Sequence, residues 1–166
     1  MGFKRTQVKP WLSPLCVFLL ALGLRFWGLN RLSQPVFDEV YFSQFANNYL
    51  TGTPFYDTHP PLGKYLIAIG IWLYQFLNPD AVIQTVFDSS TAATFGHRWL
   101  NALVGSCIPL LVMAIAQVLT GSASYTFLAG IFTALDGVFI VESRYGLLNV
   151  YLVAFGLLCQ VCFLHA

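Results

Sequence analysis

Two acids stand side by side at Asp38 and Glu39, and a little further on the run HPPLGK supplies His59 and Lys64. A carboxylate can take a proton from an incoming nucleophile, and a nearby cation can stabilise the negative charge left on a departing phosphate. That combination suits displacement at a carbon bearing a phosphate leaving group. Neighbouring helical residues point about 100° apart, so only one of the two acids can face a given pocket, leaving the other to orient something else. At a helix start both would also complement the dipole, which is the plainer reading of the pair. In HPPLGK, Pro60 and Pro61 hold the backbone extended and present His59 before, and Lys64 after, a rigid step. The plainer reading there is a turn with a lysine snorkelling to water.

Arg98 begins a later apolar run, and Glu142 and Arg144 flank the end of the one after it. Charges at such ends commonly act as solvated anchors. Arg25 and Asp136 differ because they fall inside apolar runs, where an ionisable group is costly and faces the protein interior or a cavity. Asp136 is expected to pair within the bundle. His97 and His165 are read as incidental.

The elements that must position these groups are written in lipid-compatible residues. Of 166 residues, 57% are hydrophobic and only 9% charged, against roughly 25% charged in a soluble domain. Mean hydropathy is +0.69, which gives a membrane protein by composition, and its long apolar runs make it an all-α one. A net charge of +1 excludes the basic field that nucleic-acid binding needs. Cys16, Cys107, Cys159 and Cys162 sit in apolar runs and are read as packing thiols. Four segments approach the 20 or so helical residues a bilayer requires, at roughly 11–29, 99–119, 123–141 and 146–165. A shorter run, YLIAIGIWLYQFL at 65–77, suits an interfacial helix.

Lys4, Arg5 and Lys9 place residues 1–10 in the cytoplasm and make the first run an uncleaved signal anchor. With 65–77 at the interface, residues 30–97 form one external loop and ESRYGLLN also faces outward. If 65–77 crosses instead, Arg98 and the Glu142–Arg144 group move to the cytoplasm. The first topology is preferred because it gathers the charges on one face. Within the loop, Phe37, Tyr41, Phe45 and Tyr49 recur every four residues behind Pro35, which predicts a membrane-lying helix with an aromatic stripe. TGTPFYDTHPPLG is a loop because Gly52, Pro54, Pro60 and Pro61 break regular structure.

FDEVYFSQFANNYLTGTPFYDTHPPLGKYLIAIG, then HRWLNALVGSCIPLL, then LDGVFIVESRYGLLNVYL resemble, in order, the N-terminal part of the protein O-mannosyltransferases. This family uses dolichyl- or polyprenyl-phosphate mannose and has the GT-C architecture. The resemblance implies that residues 11–166 are the N-terminal part of a GT-C transmembrane domain. It implies Asp38 as general base on an acceptor Ser or Thr hydroxyl, with Glu39 as its companion. It also implies Arg98 at a phosphate-binding position, His59 and Lys64 bordering the same pocket, and Arg144 among the phosphate-binding cations. Attack on β-linked lipid-phosphate mannose would invert the anomeric carbon. No metal or cofactor is implied, since the basic residues take over charge neutralisation.

One departure is SRYGLLN, where Asn149 replaces the usual acid of SRxxLLD. Another is length: family members have more spans and further external loops, so the chain is not expected to be catalytic alone. A lipid-phosphate mannose donor, a protein acceptor, membrane lipid and a second polypeptide supplying the missing spans are the expected partners. The short, loop-poor form favours a bacterial plasma membrane over the endoplasmic reticulum. Two alternatives stay open: a GT-C transferase for another sugar or a lipid or glycan acceptor, and a non-catalytic remnant or subunit.

Overall fold

The computed structural model describes residues 11–80 and 91–166. The stretch expected in the cytoplasm, with Lys4, Arg5 and Lys9, lies outside them, as do residues 81–90 of the expected external loop. The described residues form seven helices: α1 (Leu12–Phe26), α2 (Glu39–Thr51), α3 (Leu62–Leu77), α4 (Thr91–Thr120), α5 (Ala123–Leu135), α6 (Gly137–Ser143) and α7 (Asn149–His165). No strand occurs among them.

At 30 residues α4 is the longest helix, and α1, α3, α5, α6 and α7 all pack against it. Two apolar clusters form along its length. One joins Phe42 and Ala46 of α2, Ile67, Ala68 and Ile71 of α3, and Val150 and Tyr151 of α7 around Ile108. The other joins Val17 and Ala21 of α1 to Met113 of α4 and Ala134 of α5. Close approach needs small residues at the contacts. A Cβ on Gly105 would fall 2.2 Å from the Cβ of Ser143, and one on Gly130 would fall 2.6 Å from Met113.

By length and composition, Thr94–Thr120 of α4 can cross a membrane unaided, and α5 with α6 qualifies as a pair bent by 55°. The helices α1, α3 and α7 are apolar but shorter, at 15, 16 and 17 residues. The single span expected at 123–141 is therefore broken. Asp136 takes an extended backbone (ψ 123°) and its carboxylate accepts the N–H of Phe139 at 3.0 Å. A short acidic side chain that caps a new helix competes with continuation of the old one. Asp136 is thus an exposed cap whose hydrogen bond goes to the start of its own helix, while its charge acts within the bundle on Arg25. The run expected at 11–29 leaves the helix at Phe26, because Trp27 is extended and Gly28 adopts φ +63°.

The predicted aromatic stripe also divides. Phe37 precedes α2 in a left-handed conformation (φ 55°) and is 86% exposed, and Tyr41 is exposed as well. Phe45 and Tyr49 turn inward onto Phe55, with ring centroids at 4.8 and 4.9 Å. The loop after α2 follows expectation, since Gly52 ends the helix at φ +66° and residues 53–61 are irregular. Cys16, Cys159 and Cys162 are free and lie on outer helix faces, so of the four cysteines only the half-buried Cys107 helps fill the interior.

Adding a methyl group at Gly105 forces α4 and α6 apart, whereas Gly156 on α7 faces open space. Gly105→Ala should destabilise the fold by about 1–3 kcal/mol, as overpacking does. Gly156→Ala should leave the melting temperature in detergent unchanged or raised, because alanine is the better helix former. Equal melting temperatures for the two variants would contradict the close α4–α6 contact.

Candidate active site

Glu39 occupies the first turn of α2 and Arg98 lies two turns into α4, both almost wholly buried. The arginine Nε donates to Glu39 Oε1 at 2.6 Å and Nη2 donates to Oε2 at 2.7 Å, a bidentate pair. Nη1 donates to the carbonyls of Leu29 and Leu32 at 3.3 and 2.7 Å, and Nη2 also reaches that of Gln34 at 3.1 Å. A guanidinium has five N–H groups, and every one is donated here. The carboxylate is equally occupied: Oε1 accepts the N–H of Gly146 at 2.8 Å and Oε2 that of Val36 at 3.0 Å. The ring of Tyr145 covers Arg98, 4.9 Å from its centroid.

This saturation is what two buried charges require. It also ties together four pieces distant in sequence: α4, the start of α2, the strap at 29–36 and the link between α6 and α7. A void of about 20 Å³ beside the pair, lined by Ser33, Glu39, Ser43, Thr94, His97 and Arg98, is too small for a sugar.

Asp38 is placed very differently. It precedes α2, its backbone carbonyl accepts from Tyr41 and Phe42 at 3.0 Å, and its side chain makes no capping bond and is exposed. The left-handed backbone of Phe37 turns the chain immediately before it, a conformation that is costly for an aromatic residue. Two adjacent acids are therefore split, one locked inside the fold and one free at its surface.

His59 and Lys64 meet at Asp57, which no sequence pattern had singled out. Asp57 pairs with the Lys64 ammonium, and its Oδ1 lies 3.0 Å from His59 Nδ1. Lys64 also donates to the His59 carbonyl at 2.9 Å and sits 5.7 Å from the centre of the Phe45 ring. Burial alone would raise the Asp57 pKa, but hydrogen bonds from Lys64 and His59 outweigh it, holding the carboxyl well below the usual range. A cleft of about 530 Å³ opens beside this cluster, edged by Asn48, Tyr49, Phe55 and Tyr56.

Arg144 closes the far end of α1. It donates to the carbonyls of Leu24, Trp27 and Gly28 at 3.4, 2.8 and 3.3 Å, where a cation complements the helix dipole. Asn149 donates its amide to Glu142 at 2.9 Å, a bond the carboxylate of an aspartate could not make.

Residues 15–166 match the family profile described as dolichyl-phosphate-mannose-protein mannosyltransferase. The polyprenol-phosphate-mannose–protein mannosyltransferase of Corynebacterium glutamicum is 34% identical over 92% of this chain and 29% of its own. Dolichyl-phosphate-mannose–protein mannosyltransferase 4 of Candida albicans is 32% identical over 90% of this chain and 20% of its own. The chain belongs to this mannosyltransferase family. It spans between about a fifth and three tenths of the length of these relatives. Protein O-mannosyl-transferase 2 of Danio rerio is 29% identical over 89% of the chain, which extends the likeness to animals. No solved structure matches.

Against the site residues that the family resemblance implies, the geometry brings Glu39 and Arg98 into direct contact and gathers His59 with Lys64 around Asp57. It leaves Asp38 and His59 exposed and Arg144 half-exposed. His97, read as incidental, is buried and lies 3.5 Å from Asn47 Nδ2. Asn101 was also passed over; it donates to the Leu147 carbonyl and accepts from Tyr151, both at 2.7 Å. A polar residue inside an apolar helical run was the available signal for Asn101, since such groups must find partners.

Removing one member of a buried pair strands the other's charge, so Glu39→Ala or Arg98→Ala should destabilise this mannosyltransferase-family fold by about 3–5 kcal/mol. Arg98→Lys should not restore it, because an ammonium cannot reproduce the planar fork. Asp38→Asn should stay within about 0.5 kcal/mol, as exposed substitutions do. Thermal unfolding in detergent measures all four.

The depressed Asp57 pKa makes a separate prediction about acid. A carboxyl whose folded pKa lies below its unfolded one contributes stability above the unfolded pKa, near 4, and loses it as pH falls toward the folded value. Protease protection of residues 52–61 should therefore hold from pH 7 to pH 5 and decline only below about pH 4. Asp57→Asn should abolish that pH dependence and lower protection at neutral pH.

Proposed function

We propose that this chain is the N-terminal, base-bearing part of an integral-membrane transferase that moves mannose from a polyprenyl or dolichyl phosphate to protein Ser or Thr hydroxyls. The observation that supports it most directly is the division of labour at the acid pair: Glu39 has no capacity left, while Asp38 beside it is free. In this reading Asp38 takes the proton of the acceptor hydroxyl, and the oxygen attacks the anomeric carbon from the face opposite the phosphate. The new C–O bond forms as the bond to the phosphate oxygen breaks, and the phosphate leaves with the electron pair. Attack from the opposite face inverts the configuration.

Glu39 and Arg98 serve as framework, because phosphate contact by Arg98 would require a buried pair to open. Lys64 is likewise occupied, and with Asp57 it stiffens the loop that carries His59 past the site. Arg144 keeps its Nε and one further N–H uncommitted, which suits it to neutralise phosphate charge.

The topology in this proposal has α1, α4, the bent α5–α6 pair and α7 as GT-C spans, with α3 lying along the outer membrane surface. In α3, Tyr65, Ile69, Trp72 and Phe76 form an exposed stripe opposite the buried Lys64, Ile67 and Ile71, as an interfacial helix requires. The bacterial plasma membrane is the proposed location. The remaining cavity comes from segments corresponding to the rest of the relatives' length, on the same or a second polypeptide.

Membranes holding the chain with such a complementing segment, supplied with lipid-phosphate mannose and a Ser/Thr peptide, test the assignment. Asp38→Asn should lower the transfer rate by about 100-fold or more while the fold is retained. Undiminished transfer by that variant would falsify Asp38 as the base.

A further inference from the structure

Ser43, in the second turn of α2, is 1% exposed, and its hydroxyl has no hydrogen-bond partner within the protein. A hydroxyl inside a helix commonly spends its hydrogen on the carbonyl one turn back. Ser106 does so on Ala102 at 2.7 Å, Thr133 on Ala129 at 2.8 Å and Ser143 on Phe139 at 2.6 Å. Ser43 forgoes that bond to Glu39, although an unmet buried hydroxyl is costly. Instead it borders the void of about 20 Å³ beside the Glu39–Arg98 pair.

The size and the walls of this void restrict what it can take. A water needs about 10–15 Å³ and roughly two to four polar partners. Besides Ser43, the hydroxyls of Ser33 and Thr94 and the ring of His97 line the space, so the strap, α2 and α4 all contribute. Gly146 keeps a side chain out of the same corner, since a Cβ there would lie 3.2 Å from Ser43 Oγ and 3.4 Å from Glu39 Oε1. An ion has no unspent charge to meet. Every N–H of Arg98 and both oxygens of Glu39 are already paired within the protein, so a cation would face the guanidinium and an anion the carboxylate. A small neutral dipole fits these conditions.

We propose that the void is a binding site for a single water, held by Ser43 Oγ together with the hydroxyls of Ser33 and Thr94. The water adds an uncharged tie between the strap, α2 and α4 beside the ion pair. It satisfies the one group there that the protein leaves unmet. The inference is independent of Asp38 and of sugar transfer.

Thermal unfolding of the full chain in detergent distinguishes a wet site from a dry one by the sign of the change. With water bound, Ser43→Ala removes one of its partners and should lower the melting temperature by about 2–4 °C, the shift that one hydrogen bond gives in a chain of this size. In a dry void the same substitution deletes an unmet buried hydroxyl and installs a better helix former, and both effects raise the melting temperature. An unchanged or raised value overturns the proposal.

The wild-type melting temperature should also be the same in sodium chloride and in potassium glutamate at equal ionic strength. A difference between the two salts that disappears in Ser43→Ala would assign the void to an ion and overturn the water. An experimental map fine enough to show ordered water should hold one peak within hydrogen-bond distance of Ser43 Oγ; a map of that quality with no peak there would sink the proposal.

Discussion

Burying a carboxylate and a guanidinium in an apolar bundle is tolerable only if every lone pair and every N–H finds a partner, and Glu39 with Arg98 meets that condition. The strap at 29–36 exists in its present shape because Arg98 draws three of its carbonyls inward and Glu39 holds the Val36 N–H. The link between α6 and α7 is held by the Gly146 N–H on the same carboxylate. Gly146 suits the contact, since a Cβ there would already crowd Ser43 Oγ at 3.2 Å. Removal of either charge would release all of these at once. The pair is therefore better understood as the fastener of this end of the bundle than as one more ion pair.

What the fastener achieves is the separation of Asp38 from Glu39. Consecutive helical positions cannot share a direction. Once Glu39 is drawn under α4, Asp38 must point away, at the start of α2, with Phe37 taking up the backbone strain. A second fastener, Asp57 with Lys64 and His59, fixes the return of the loop after α2 onto α3. Packing of Phe45 and Tyr49 on Phe55 completes it. The surface carrying these groups is rigid at its buried charges and open at its exposed ones, so Asp38 is held in place while its carboxylate stays accessible.

The helical, lipid-compatible character of the chain was readable because it rests on composition and run length. Asp38 and Glu39 were likewise visible as an anomaly, and helix geometry alone required their roles to differ. Which acid went inside was not readable, since that depends on Arg98, far away in the chain. Asp57 escaped notice because a lone acid in a loop carries no periodicity; only the fold of HPPLGK back onto it reveals the cluster. The apolar run at 123–141 is bent for a local reason, the preference of Asp136 to cap Phe139. The aromatic stripe failed for a non-local one, the availability of Phe55 to receive Phe45 and Tyr49.

Local rules act over a few residues, so the sequence by itself determined where the apolar helices run, where Gly52 and the prolines end them, and that charge gathers on one stretch. Family membership likewise follows from the order of motifs along the chain. Pairing is different, because a hydrogen bond between Glu39 and Gly146 or between Arg25 and Ser143 joins residues more than a hundred positions apart. No periodicity encodes such a distance. Only the packed tertiary structure decided which cations were used up in holding the fold and which, at Arg144, kept N–H groups uncommitted.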